Sequence, residues 1–219
     1  MITLNNYHYG FVNSNAMYED LTFRFNKGEV INILGENGAG KSAFFKALLN
    51  KIPYSGGEYH CAADTISVIS DYVSIPKELK LKDLLNIVST NEQQEWLQKM
   101  IADLKLSFEQ RIGQLSTGQK RLIEISCAVS KHNGVLICDE MTNGLDIKNR
   151  KIVLDFLKNI MLQKQHVLFY TSHNFEDHAY LGGRFIFLDR DKKRFIEKQV
   201  SDLEDINHYF YEICKKGLV

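Results

Sequence analysis

The stretch that most constrains this chain is Gly35-Glu36-Asn37-Gly38-Ala39-Gly40-Lys41-Ser42. It fits G-x-x-x-x-G-K-[S/T], the phosphate-binding P-loop. Its setting agrees, with an apolar, β-branched run from Glu29 to Leu34 before it and a helical reading from Ala43 to Leu49 after it. Glycines let the backbone turn and bring successive N–H groups against phosphate oxygens, where a side chain would block the approach. The helix that opens there aims its positive end at the same anion. Lys41 would reach the β- and γ-phosphates, and the Ser42 hydroxyl would sit on Mg2+.

With 219 residues the chain has room for one sizeable α/β domain. Its 27 Lys and Arg balance 27 Asp and Glu, so no basic field points to nucleic acid and no acidic excess points to disorder. Cys61, Cys127, Cys138 and Cys214 are far apart and form no C-x-x-C pair, which indicates neither a disulfide scaffold nor a zinc site. The first residues lack the basic and apolar regions of a signal peptide, and no window approaches the roughly 18 apolar residues of a membrane span. The expectation is a cytosolic-type chain that reaches a membrane only through a partner.

Residues 2–4, 7–12 and 21–25 read as short alternating strands, antiparallel material ahead of the P-loop. Tyr7, Tyr9 and Phe11 share one strand face; such rings stack on a purine or simply cover a sheet. Ile66 to Ile69 is a short strand ending at Ser70-Asp71, and residues 82–88 and 92–106 read as helices within a small insertion spanning 76–119. The core is then residues 1–75 and 120–219. Leu115-Ser116-Thr117-Gly118-Gln119 is a ready helix start, with a hydroxyl to cap and free amides pointing outward. Val135 to Cys138 is apolar throughout, as a strand buried on both faces requires, and ends in Asp139-Glu140. Two acids at the carboxyl end of such a strand sit where open α/β sheets bind ligands; beside a P-loop, the first suits Mg2+ and the second an attacking water. Gly144-Leu145-Asp146 is a turn before a helix over 147–162, and His166 to Thr171 is a buried strand ending at Ser172-His173. A last strand is expected near 184–188, Lys192-Lys193-Arg194 as a solvated turn, and Ser201 to Glu204 as a capping box opening a C-terminal helix.

The P-loop, Leu-Ser-Thr-Gly-Gln, the apolar run into Asp-Glu, Gly-Leu-Asp and Ser-His occur in this order. In that order the chain resembles the ATP-binding cassette (ABC) ATPase family from about Tyr9 to Leu188. The resemblance implies a P-loop NTPase core with an N-terminal antiparallel β subdomain and a small helical insertion, and a chain that binds and hydrolyses ATP with Mg2+. It implies that Tyr9 stacks on adenine, that Gly35 to Ser42 together with Ala43 hold the phosphates, and that Asp139 serves Mg2+ while Glu140 acts on the water. It further implies that His173 contacts the γ-phosphate, that Asp146 belongs to the nucleotide interface, and that Ser116, Gly118 and Gln119 complete the site of an opposite subunit. Ser42, Asp139 and Asp71 would be the metal's neighbours, with Asp71 where the family usually has glutamine. The partners implied are a second cassette, identical or not, in a two-fold pair, and an integral membrane transport subunit that holds the chain at the inner face of the cell membrane. The short insertion resembles exporters more than sugar importers; the alternative is a soluble relative acting on ribosomes or DNA, against which the neutral charge argues.

Overall fold

In the computed structural model, the residues described are 1–10, 16–52, 54–72, 74–88, 91–129, 134–163 and 166–214. Phe11 and the outer ends of the strand expected over 7–12 and of the helix after Gly118 therefore lie outside the described residues. Two sheets organise the chain. A three-stranded antiparallel sheet runs in the order β2-β1-β4, where β1 is Ile2–Gly10, β2 is Tyr18–Phe25 and β4 is Tyr54–Cys61. A six-stranded sheet runs β5-β6-β7-β3-β8-β9, formed by β3 Val30–Leu34, β5 Thr65–Ile69, β6 Gly134–Asp139, β7 His166–Thr171, β8 Arg184–Asp189 and β9 Arg194–Lys198. All its pairings are parallel except the last. The mixed α/β expectation, with an antiparallel subdomain ahead of a parallel sheet, holds.

Strands buried on both faces read as near-continuous apolar runs, and β6 and β7 supply them from Val135 to Cys138 and from Val167 to Tyr170. Alternation along one strand then feeds two cores. Val135, Ile137, Val167 and Phe169 face the helix α1 (Lys41–Leu48) and the aromatic side of the antiparallel sheet. Leu136, Cys138, Leu168 and Tyr170 face a helical layer. That layer contains α2 (Leu81–Ile87), α3 (Asn91–Asp103), α4 (Thr117–Ala128) and α5 (Ile147–Leu162). The apolar stripe Leu97, Met100 and Ile101 of α3 is buried in the same cluster. A third cluster joins Leu34, Phe185 and Phe187 to Ile206 of α7 (Leu203–Tyr209) and Ile213 of the π-helical turn after it.

Some elements differ from the sequence reading. Residues 2–10 are one strand, with register shifts between Asn5 and His8 against β4, and between Leu4 and Tyr7 and between Tyr7 and Tyr9 against β2. The seven-residue α6 (Phe175–Leu181) follows the switch to the next strand, capped by Asn174. Arg194, read as part of a solvated turn, opens β9. The C-terminal helix is capped by Asp202, whose carboxylate accepts from the Asp205 N–H, while Ser201 bonds the Asp205 side chain; Glu204 plays no part in the box.

Candidate nucleotide site

Because the parallel strands run the same way, their carboxyl ends deliver the P-loop after β3, the acids after β6 and the Ser172-His173 turn after β7 to one edge. Gly40 is the N-cap of α1 with φ 99°, and Gly38 has φ 76°. Both lie in the left-handed region that favours glycine. A Cβ on Gly40 would also meet Met17 Sδ at 2.5 Å and Tyr18 Cε2 at 3.2 Å. Lys41 is almost fully buried; its ammonium donates to the carbonyls of Gly35 at 2.8 Å and Glu36 at 3.2 Å. Burial pulls its pKa below the ordinary lysine value, against the opposing pull of Glu140 and Asp139.

Ser42 Oγ donates to Asp139 Oδ2 at 2.8 Å, joining P-loop to strand end. The other carboxylate oxygen, Oδ1, accepts from the Thr171 hydroxyl at 2.7 Å. Glu140 has φ 57°, and its carboxylate meets His173 Nε2 at 3.0 Å and accepts from Asn143 Nδ2 at 3.2 Å. The P-loop residues Glu36 to Ala43, apart from buried Ala39, line a cleft of about 250 Å³ together with Met17 and Glu140. A second cleft, of about 480 Å³, lies between Gly35 to Asn37, Lys41, Ser172, His173 and the C-terminal Phe210 and Tyr211.

The chemistry of these donors fits magnesium and a polyphosphate. Ser42 and Asp139 present hard oxygens side by side, the set a small dication takes. The glycine-lined loop at a helix start is an anion cradle that a Cβ would fill.

Other expected site residues lie elsewhere. Tyr9, expected to stack on adenine, is fully buried, its ring centroid 5.7 Å from Tyr18, 6.0 Å from Phe44 and 6.5 Å from Tyr7. A ring enclosed this way presents no face to a base. Asp71 is exposed in the turn after β5, and its main-chain carbonyl accepts from the Arg121 guanidinium. Asp146 spends both oxygens as the cap of α5, accepting from Asn149 N at 2.8 Å and Nδ2 at 2.6 Å, and these bonds hold its pKa below the ordinary value. Ser116 caps α4, accepting from Gln119 N, while Gln119 Oε1 accepts from Ser116 N at 2.9 Å. Gly118 packs so closely on α5 that a Cβ would meet Asn149 Oδ1 at 2.6 Å. Ser116, Gly118 and Gln119 line neither cleft of the P-loop.

Two residues at the site carry no sequence signal. Met17 reaches the loop from just ahead of β2, and Thr171 reaches Asp139 from the neighbouring strand. Both are contacts through space.

A family model described as ABC transporter matches residues 18–143, more than half of the chain. Among curated proteins, the xylose import ATP-binding protein XylG of Escherichia coli (strain K12) is 29% identical over 187 residues, which covers 73% of this chain and 36% of that protein. The protein of the same name from Shigella flexneri is 28% identical over the same span. The chain thus spans little more than a third of the length of these relatives. Among solved structures, one described as the ATP binding subunit of an ABC transporter superimposes with TM-score 0.73 at 20% identity, covering 97% of this chain and 94% of that one. A metal-chelate type ABC transporter in an inward-facing conformation gives TM-score 0.73 at 23% identity over 94% and 84%.

Proposed function

Because the chain belongs to the ABC transporter family, we propose that it is the ATP-binding and ATP-hydrolysing part of a transporter, working as a head-to-tail pair around MgATP. The observation that carries this reading is the convergence of three strand ends, with Ser42 on Asp139 at 2.8 Å and His173 on Glu140 at 3.0 Å. Lys41 turns from the carbonyls of Gly35 and Glu36 to the β- and γ-phosphate oxygens, while the loop amides and the α1 N-terminus hold the rest of the chain of phosphates. Ser42 and Asp139 are the residues that would hold Mg2+. Bound there, Mg2+ would offset the charge that gathers on the phosphate oxygens.

Glu140 accepts a proton from the attacking water, and His173, hydrogen-bonded to it, orients that carboxylate and meets the γ-phosphate. The residues of the helix start at Ser116 to Gln119 line neither P-loop cleft of their own chain, which supports their use on the nucleotide of a second cassette. Among the described residues no helix is long and apolar enough to cross a membrane; in this reading a membrane-spanning partner carries the cargo, with this chain at the membrane's cytoplasmic face. XylG is named for xylose import, and nothing in the comparisons supports the export preference drawn from the short insertion. The proposal commits to transport and leaves direction to the partner.

The test is a pull-down from detergent-solubilised membranes with the Glu140→Gln chain held in ATP, read by mass spectrometry. A polytopic membrane protein recovered in ATP and lost in ADP is the expected result. Ribosomal or DNA-repair proteins in its place, with no membrane protein, would overturn the transporter reading.

A further inference from the structure

Glu140 adopts φ 57°, a backbone region that residues with a side chain seldom occupy and that persists only where the surroundings enforce it. Asn143 holds the Glu140 carbonyl through its N–H at 3.1 Å, and Thr171 holds the Glu140 amide. Thr171 is fully buried at the end of β7 and stands opposite Asp139 in the strand register. The Glu140 N–H donates to both the Thr171 carbonyl and the Thr171 Oγ1, each at 3.1 Å. The same hydroxyl gives its own proton to Asp139 Oδ1 at 2.7 Å. One hydroxyl therefore accepts from the main chain of one acid and donates to the side chain of the other. Its single proton and one of its two lone pairs are engaged on opposite partners, which restrains its rotamer.

Thr171 is itself anchored. The residues on either side, Tyr170 and Ser172, donate their hydroxyls to Asp177 Oδ2 at 2.9 and 3.1 Å, and Thr142 donates to the same oxygen at 2.8 Å. Asp177 is buried. The strand end is thus pinned on both faces before the chain turns to His173.

We propose that Thr171 is the positioning residue of the hydrolytic centre. Its hydroxyl holds Asp139 Oδ1, so that Oδ2 alone is presented toward Ser42 and the metal, and it holds the Glu140 amide, so that the carboxylate points at the reacting water. The assignment rests on the ATPase reading above and adds a residue to it. Neighbours that orient a metal's ligands typically change metal affinity or activity about 10–100-fold when removed.

The experiment compares wild type, Thr171→Val and Thr171→Ser. Valine keeps the shape and loses the hydroxyl; serine keeps the hydroxyl and loses a methyl. Nucleotide sites are first counted by titration with a fluorescent ATP analogue without Mg2+, so that rates are per folded site. Then kcat, KM and the Mg2+ concentration that half-maximally tightens analogue binding are measured. The expected result is that Thr171→Val lowers kcat about 10–100-fold, leaves KM within about threefold and raises the Mg2+ requirement about tenfold, while Thr171→Ser restores all three to within about threefold. A Thr171→Val chain with wild-type kcat and Mg2+ requirement would overturn the proposal. So would a Thr171→Ser chain as impaired as the valine variant, since the methyl would then be what matters. If wild type itself released no phosphate from ATP, the parent reading would fail, a result distinct from either.

Discussion

Tyr9 gives the sharpest contrast between a motif-based role and a packing role. Its ring is enclosed by Tyr7, Tyr18 and Phe44, and its hydroxyl is buried with no hydrogen-bond partner among the described residues. Burial also drives its pKa well above the ordinary tyrosine value. An unpaired buried hydroxyl costs roughly 1–3 kcal/mol. Tyr9→Phe removes that cost at the expense of a small void, so a gain of about 1 kcal/mol is expected. For a chain of this length that raises Tm by about 2–4 °C. Tyr9→Leu takes away the ring and leaves a cavity, costing about 2–4 kcal/mol. Were the ring instead a platform for adenine, losing it would remove about 1–3 kcal/mol of stacking, or roughly 5- to 150-fold in ATP affinity. The assay pairs thermal melting with equilibrium binding of ATP for all three chains. The packing account expects Tm to move and Kd to stay within about twofold. A folded Tyr9→Leu chain that binds ATP tenfold more weakly, with no change in Tm, would refute it.

Two further predictions follow from buried charge. Arg121 and Glu124 form an ion pair at 2.9 Å with both side chains buried, and Glu124 also accepts from Ser74 N and Oγ. Glu124→Ala leaves the guanidinium buried and unpaired, so urea unfolding should show a loss of about 3–5 kcal/mol; a loss under 1 kcal/mol would mean that solvent reaches the pair. His178 is fully buried between Asn32 Oδ1 at 2.8 Å and the Ser172 carbonyl at 3.1 Å, with Asp177 and Lys41 the charges acting on it. Burial lowers its pKa from 6.5 to about 4. Between those values the unfolded chain holds the extra proton, so stability is fully present above pH 6.5 and is lost as pH falls toward 4. By pH 5 the loss is about 2 kcal/mol, or roughly 4–8 °C in Tm. His178→Asn should flatten that part of the pH profile; an unchanged profile would assign the slope to other groups.

What the sequence made legible is what spacing encodes. The P-loop and Asp139-Glu140 are contiguous residues at the ends of apolar strands, and the helix over 147–162 and the strand over 166–171 match the structure because their periodicity is long or unbroken. Tyr9 was beyond reach because alternation says that a strand has two faces and not which of them another helix covers; α1 covers this one. Thr171 was beyond reach for a different reason. Its partners stand on a neighbouring strand and are joined to it only by register. Helix α6 has seven residues, too few for a period to declare itself, and β9 begins inside a basic cluster that reads as solvated. Asp71 shows the limit of carrying a role over by position: the turn is in place, yet what the structure uses there is the carbonyl.

The central claim is that Glu140 drives hydrolysis in a site completed by a second copy of the cassette. It is tested most directly by measuring phosphate release and sedimentation for wild type and Glu140→Gln in MgATP. The account predicts that wild type releases phosphate, and that the variant loses about 100-fold or more in rate while sedimenting as a pair with ATP and as single chains with ADP. A variant that turns over ATP at the wild-type rate, or that stays single at saturating MgATP, would contradict it.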